Sequence, residues 1–187
     1  MKRLLLSIFI FSFAFINTAH AGPFGLSMGM TKQELGRMEE ISTNRYRLHT
    51  VPNPDQNFSD YIVIVGDRSG LCRIRALSVK IRTNGYGSEV KDKFKSLESA
   101  LNERYGKHKK QDILLPKSKW KEPKDWMMGL LKEERFLESF WDIKESSNLP
   151  DNIQSILLRA TAVKTNKGMI ILEYIYKNFG EFMKEGK

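Results

Sequence analysis

Residues 153–164 and 169–177 are two runs rich in β-branched and aromatic side chains, and Asn166-Lys167-Gly168 stands between them. A turn triplet joining two such runs reads as a β-hairpin, and a hairpin commits the chain to an antiparallel sheet. Three earlier stretches read as further strands. Residues 45–51 alternate polar side chains with Tyr46 and Leu48, as a half-buried strand does. Residues 61–65 form a continuous apolar run, short enough for a central strand, and Gly66-Asp67-Arg68-Ser69-Gly70 follows as a hairpin loop. Residues 71–82 make the third. Ile74 and Ala76 share one face and Leu77, Val79 and Ile81 the other, so a bulge is expected near Arg75 to Leu77.

Helical patterns fill the remainder. Thr31-Lys32-Gln33-Glu34 is a capping box, predicting a short helix to Glu40 with Leu35, Met38 and Ile41 inward; Gly36 weakens it. Ser88 is a candidate N-cap, and Val90, Phe94, Leu97, Leu101 and Tyr105 form an apolar stripe closed by Gly106. Pro123 suits the start of another helix, and Trp126, Met127, Leu130, Leu131, Leu137, Phe140 and Trp141 mark a second long amphipathic one. The tail from Phe179 to Lys187 reads as a fraying turn. The expectation is an α+β domain over residues 22–187: an antiparallel sheet of about five strands, order α-βββ-αα-ββ, with helices packed on one face.

Lys2 and Arg3, the uncharged run of 13 residues from Leu4 to Ile16, and Ala19-His20-Ala21 are ordered as in a cleavable signal peptide, residues 1–21. The run is shorter than the roughly 20 residues that a membrane-spanning helix needs. No cysteine near residue 21 offers a lipid anchor. The expectation is therefore a soluble periplasmic or secreted bacterial protein. Cys72 is the only cysteine, so no intramolecular disulfide can form, and the fold has to stand on its apolar core.

The stretch Phe24-Gly25-Leu26-Ser27-Met28-Gly29-Met30-Thr31-Lys32-Gln33-Glu34-Leu35 resembles the opening of small bacterial envelope proteins, in which a Gly-Met-Thr/Ser turn starts a helix that packs on an antiparallel sheet. The outer-membrane assembly lipoprotein family (BamE, SmpA/OmlA) and β-lactamase-inhibitor-like domains look similar there. Gly70-Leu71-Cys72 and Arg104-Tyr105-Gly106-Lys107 have the texture of an exported bacterial family. The resemblance implies a non-catalytic, protein-contacting role in the envelope. The chain departs from it in lacking a lipidation cysteine and in the two long helices expected after its first three strands.

Residue types that carry chemistry are sparse. After the leader only His49 and His108 remain, and His108 sits among lysines, so neither a metal site nor a cofactor is expected. Ser118-Lys119-Trp120-Lys121 matches Ser-x-x-Lys, but without the helix start or partner motifs that such a nucleophile requires. Glu133, Glu134 and Glu138 alternate with Lys132 and Arg135 and read as an ion-paired helical face rather than a catalytic pair. No catalytic residue is assigned. The expected role is binding, as an inhibitor, an immunity protein or an envelope-assembly accessory; a hydrolase acting on an envelope polymer and a binder of anionic envelope surfaces are the alternative readings.

Charge is the uneven feature. Without the two basic residues of the leader the chain holds 29 basic against 22 acidic residues, a net +7. Between Arg104 and Lys124 eight basic residues face only Asp112 and Glu122, a net +6. Lys107, Lys109, Lys110, Lys117, Lys119, Trp120 and Lys121 are the candidate contact residues, cations plus an aromatic suited to an acidic surface. The expected partner is another envelope or secreted protein, or an anionic envelope component. Nucleic acid and a membrane anchor are not expected. Arg45, Arg47, Arg73 and Arg75 are expected to add a basic outer face to the sheet, each pair sharing one side of its strand. If the leader is cleaved as its pattern predicts, N-terminal sequencing of protein made in its host begins at Gly22; a retained Met1 on a cytoplasmic product overturns the leader assignment.

Overall fold

A computed structural model describes residues 22–145 and 149–185. The leader assigned to residues 1–21 lies outside the described residues. Nine strands, β1 Met38–Ser42, β2 Arg45–Leu48, β3 Phe58–Gly66, β4 Gly70–Ser78, β5 Ile81–Arg82, β6 Lys109–Leu114, β7 Arg135–Asp142, β8 Ile153–Lys164 and β9 Lys167–Tyr176, pair antiparallel throughout. Their order is β1-β2-β3-β4-β9-β8-β7-β6, with β5 also pairing β9. Among the described residues three α-helices accompany the sheet: α1 Ser88–Tyr105, α2 Trp126–Leu131 and α3 Phe179–Glu185.

The alternation of the last hairpin explains how one face became the core. In β9, Ile170, Leu172, Tyr174 and Tyr176 are buried on one side while Met169, Ile171 and Ile175 point half-exposed to the other. Cross-strand partners extend that face through Ile156, Leu158 and Ala160 of β8, Leu137 and Trp141 of β7, Ile74 and Ala76 of β4, and Tyr61 and Val63 of β3. The stripe of α1, Val90, Phe94, Leu97, Leu101 and Tyr105, is buried against it, as are Trp126, Met127 and Leu130 of α2. Gly106 (φ +82) ends α1 as expected, but Gly87 in the left-handed region (φ +71) precedes its first turn, and Ser88 is already helical. A side chain at residue 87 would run into Trp126, so this glycine lets the loop meet α2.

The expected architecture of about five strands in the order α-βββ-αα-ββ is wrong: the fold is dominated by its nine-stranded sheet. The Thr31–Glu34 box does form, with Thr31 N–H donating to Glu34 Oε2 (2.8 Å) and Glu34 N–H to Thr31 Oγ1 (3.3 Å). It closes a single turn, because Gly36 takes φ +73 and releases the chain into β1. The second long helix stops after the six residues of α2. Glu133 turns the backbone at φ +55, and the residues expected to complete the helix become β7. The basic connection contains an edge strand, β6. The bulge expected at Arg75 to Leu77 is displaced: the β3–β4 register slips at Ser59 and at Cys72, and β4 breaks after Ser78. There Ser78 Oγ accepts from Ile170 N–H (2.9 Å), replacing a ladder bond. The tail is a short helix rather than a fraying turn.

Leu97 is 7 % exposed in the centre of the α1 stripe. Leu97→Ala is expected to lower stability by about 2 to 5 kcal/mol, read from denaturant unfolding; a change under about 0.5 kcal/mol would place Leu97 on the surface.

Candidate functional site

The eight basic side chains of residues 104–124 are all exposed. Folding separates them into two groups. Arg104, Lys107, Lys109 and Lys110 lie at the end of α1 and along β6, whereas Lys117, Lys119 and Lys121 lie in the loop that follows β6 and Lys124 in the 3-10 turn Pro123–Asp125 beyond it. β6 has β7 on one side and is the last strand of the sheet among the described residues, which leave its other side an open edge. The charged sequence Lys109-Lys110-Gln111-Asp112 is tolerated as a strand because an edge position leaves its side chains in water.

Not all of these cations are available to a partner. Lys110 Nζ lies 2.7 Å from Glu98 Oε2 and 5.3 Å from the Phe94 ring centroid, which ties it to α1. Lys107 and Lys109 also have partners within the protein. Lys119 Nζ sits 4.9 Å from the ring centroid of Trp120. Asp112, one of the two acids of the segment, is bound by Arg135 at 2.7 Å, a residue outside it. The loop cations therefore keep their excess charge, and Ile113 and Leu115, 45 % and 42 % exposed, add an apolar foothold beside them.

A polar cluster that was not identified from the sequence lies under β6. Glu98 belongs to α1 but is 8 % exposed, and it accepts from the fully buried Ser139 hydroxyl, from Lys110 and from His108 Nε2 at 3.1 Å. His108 also meets Asn102 Oδ1 at 3.1 Å through Nδ1 and stacks on Trp141 at 4.7 Å. Burial opposes the charged form of Glu98. The hydrogen bonds from Lys110 and Ser139, with the charges of Lys110 and His108, outweigh it and hold the carboxyl below the usual glutamate range. The signal was present after all: residue 98 falls four residues after Phe94 and three before Leu101, a charge on the apolar stripe.

The serines and carboxylates weighed from the sequence do not come together among the described residues. Ser139 is sealed from solvent, and Ser118 is 3 % exposed with its hydroxyl accepting from Trp120 N–H. The helical ion-paired face expected of Glu133, Glu134 and Glu138 is absent, since Glu133 is in a turn and Glu138 is buried in β7 between Gln111 and Arg159. Glu98 and Glu138 lie on opposite faces of the sheet and cannot flank one bond. The Cys72 thiol is buried and pushed up to about 12, which keeps it protonated and unreactive. Arg45, Arg47, Arg73 and Arg75 do share the outer face, flanking Ile62 and Ile64. Three of them are committed: Arg75 to Glu173 at 2.7 Å, Arg73 to Glu173 at 3.9 Å, and Arg47 to Asp60 at 3.1 Å. That face is mixed rather than basic.

The Glu98 carboxyl gives a signed pH dependence. Its folded pKa is depressed, so its contribution is complete above the unfolded value and is lost as pH falls through the folded one. Glu98→Gln is expected to cost about 1 to 3 kcal/mol at neutral pH and progressively less toward pH 3. Thermal unfolding from pH 7 to pH 3 checks this, and a gap that stays constant down to pH 3 would contradict it. No family model, curated protein sequence or solved structure matches the chain.

Proposed function

We propose that this is a non-catalytic binding protein, exported to the bacterial envelope, that receives an extended acidic segment of another envelope protein along β6 and the loop after it. The observation that carries the reading is the placement of the charge: within a segment of net +6, the exposed Lys117, Lys119, Lys121 and Lys124 follow an open sheet edge. An open edge offers unpaired backbone N–H and C=O groups to an added strand, which supplies affinity with little regard to sequence. The neighbouring lysines supply selection by charge, and Ile113 and Leu115 a contact for an apolar residue of the partner. The Glu98 cluster fits this use because it fixes the edge strand to α1 before any partner arrives, so little ordering cost remains at binding.

The leader pattern motivates the envelope location. The test compares wild type with the variant Lys117→Gln, Lys119→Gln, Lys121→Gln, Lys124→Gln, which leaves the Glu98 cluster intact. Acidic proteins captured from an envelope extract should associate with the variant about tenfold more slowly at low salt, with the difference narrowing at physiological ionic strength. The amides of 109–114 should gain hydrogen-exchange protection in the complex. Equal association rates at both salts, or no added protection in β6, would remove the proposal. Capture by anionic vesicles without any protein partner would replace it with surface adsorption.

A further inference from the structure

A cleft of about 320 Å³ opens on the helical side of the sheet, away from the β6 edge, where the segment before β1, the β2–β3 loop and α1 meet. Phe24, Phe58, Leu97, Leu101, Leu172 and Tyr174 form its floor. The space equals roughly ten water molecules at liquid density, enough for a small organic molecule.

The walls are set in advance. Phe24 sits in the left-handed region (φ 59, ψ 18), a conformation that costs a non-glycine residue about 1 to 3 kcal/mol unless its surroundings hold it. Here its ring meets Tyr61, Phe58 and Tyr174 edge-on at 4.9, 5.8 and 5.9 Å between centroids. Its carbonyl accepts from Asn53 N–H at 3.0 Å, which fastens the segment to the β2–β3 loop. Gly25 (φ +78) lies so close to Pro52 that an added Cβ would stand 2.7 Å from the proline side chain. Strain at Phe24 is thus spent on holding an aromatic wall open beside a space rather than on filling it.

The rim is selective. Asp55 turns its carboxylate onto its own loop, accepting from Asn57 N–H and from Asn57 Nδ2 at 2.8 Å each. Arg104 stands at the other side, 5.1 Å from the ring centroid of Tyr105, and no carboxylate pairs with it among the described residues. An aliphatic and aromatic floor with one guanidinium at its mouth suits an apolar group that carries a carboxylate, with the chain or ring in the cleft and the anion on Arg104. We infer that the cleft is a binding site for a small amphipathic carboxylate. This site is separate from the β6 edge, and neither reading depends on the other.

Octanoate, octanol and octylamine share a chain and differ in charge, which makes them suitable probes. In NMR titrations of the purified protein, octanoate should bind saturably, moving the methyl signals of Leu97, Leu101 and Leu172, and at least about tenfold more tightly than octylamine. Arg104→Gln, an exposed helix position, should weaken octanoate about tenfold and leave octanol unchanged. Ala100→Phe, also exposed and lining the cleft, should abolish binding of all three while thermal unfolding shows the fold retained. The inference is overturned by the absence of saturable binding, by equal affinity for octanoate and octylamine, or by octanoate binding that Arg104→Gln leaves intact.

Discussion

The seam between β4 and β9 holds the molecule together. The chain makes two meanders, β1 to β4 and β6 to β9, and the pairing of Arg73–Leu77 with Ile171–Ile175, continued by β5 against Lys167 and Gly168, joins them into one sheet. The seam's core face is made of the pairs Ile74 with Tyr174 and Ala76 with Leu172, all buried. Asn178, just beyond β9, reinforces it by donating through Nδ2 to the carbonyls of Ser69 (2.8 Å) and Leu71 (3.0 Å). Such contacts unite residues distant in sequence, so their closure entropy must be met before either meander can share a core with the other. The aromatic cluster around Phe24 depends on this seam, which puts Tyr174 on the same face as Tyr61, with β4 between them, so that both rings meet Phe24.

What the residues disclosed in advance follows from how strongly burial patterned them. β8, β9 and the core of β3 were readable because one or both of their faces are buried. α1 was readable because its stripe repeats at helical spacing over five positions before Gly106. β6 escaped because an exposed edge strand imposes no apolar alternation on Lys109-Lys110-Gln111-Asp112. β7 was mistaken for helix because Leu137 and Trp141 are four apart, a spacing that serves an inward pair on a strand as well as a turn of helix. The true period shows in Leu137, Ser139 and Trp141 inward against Glu138 and Phe140 outward, but Glu and Arg in the run favour helix locally. Left-handed Glu133, which redirects the chain, carries no signature in its residue type. The candidate cations were identified in sequence, but not the strand that arranges them, nor the Glu98 cluster that withdraws Lys110.

Electrostatics divides the labour between the two sides of β6. Toward α1, Lys110 is drawn to a buried carboxylate and acts as structure. In the loop beyond, the lysines have little acidic company, and their mutual repulsion discourages two copies from meeting through this edge. A sheet edge of this kind stays open to a partner of opposite charge while resisting its own kind.

Cys72 occupies the slipped position of β4, with Sγ 3.4 Å from the Ile64 carbonyl and no exposed surface. An accessible unpaired thiol can couple to a passing disulfide. Sealed beneath the register slip, Cys72 becomes visible to a thiol reagent only when β3 and β4 part. The chain therefore carries its own chemical clock: the rate at which Cys72 takes up label in the native state measures how often the N-terminal meander opens, without a probe having to be introduced.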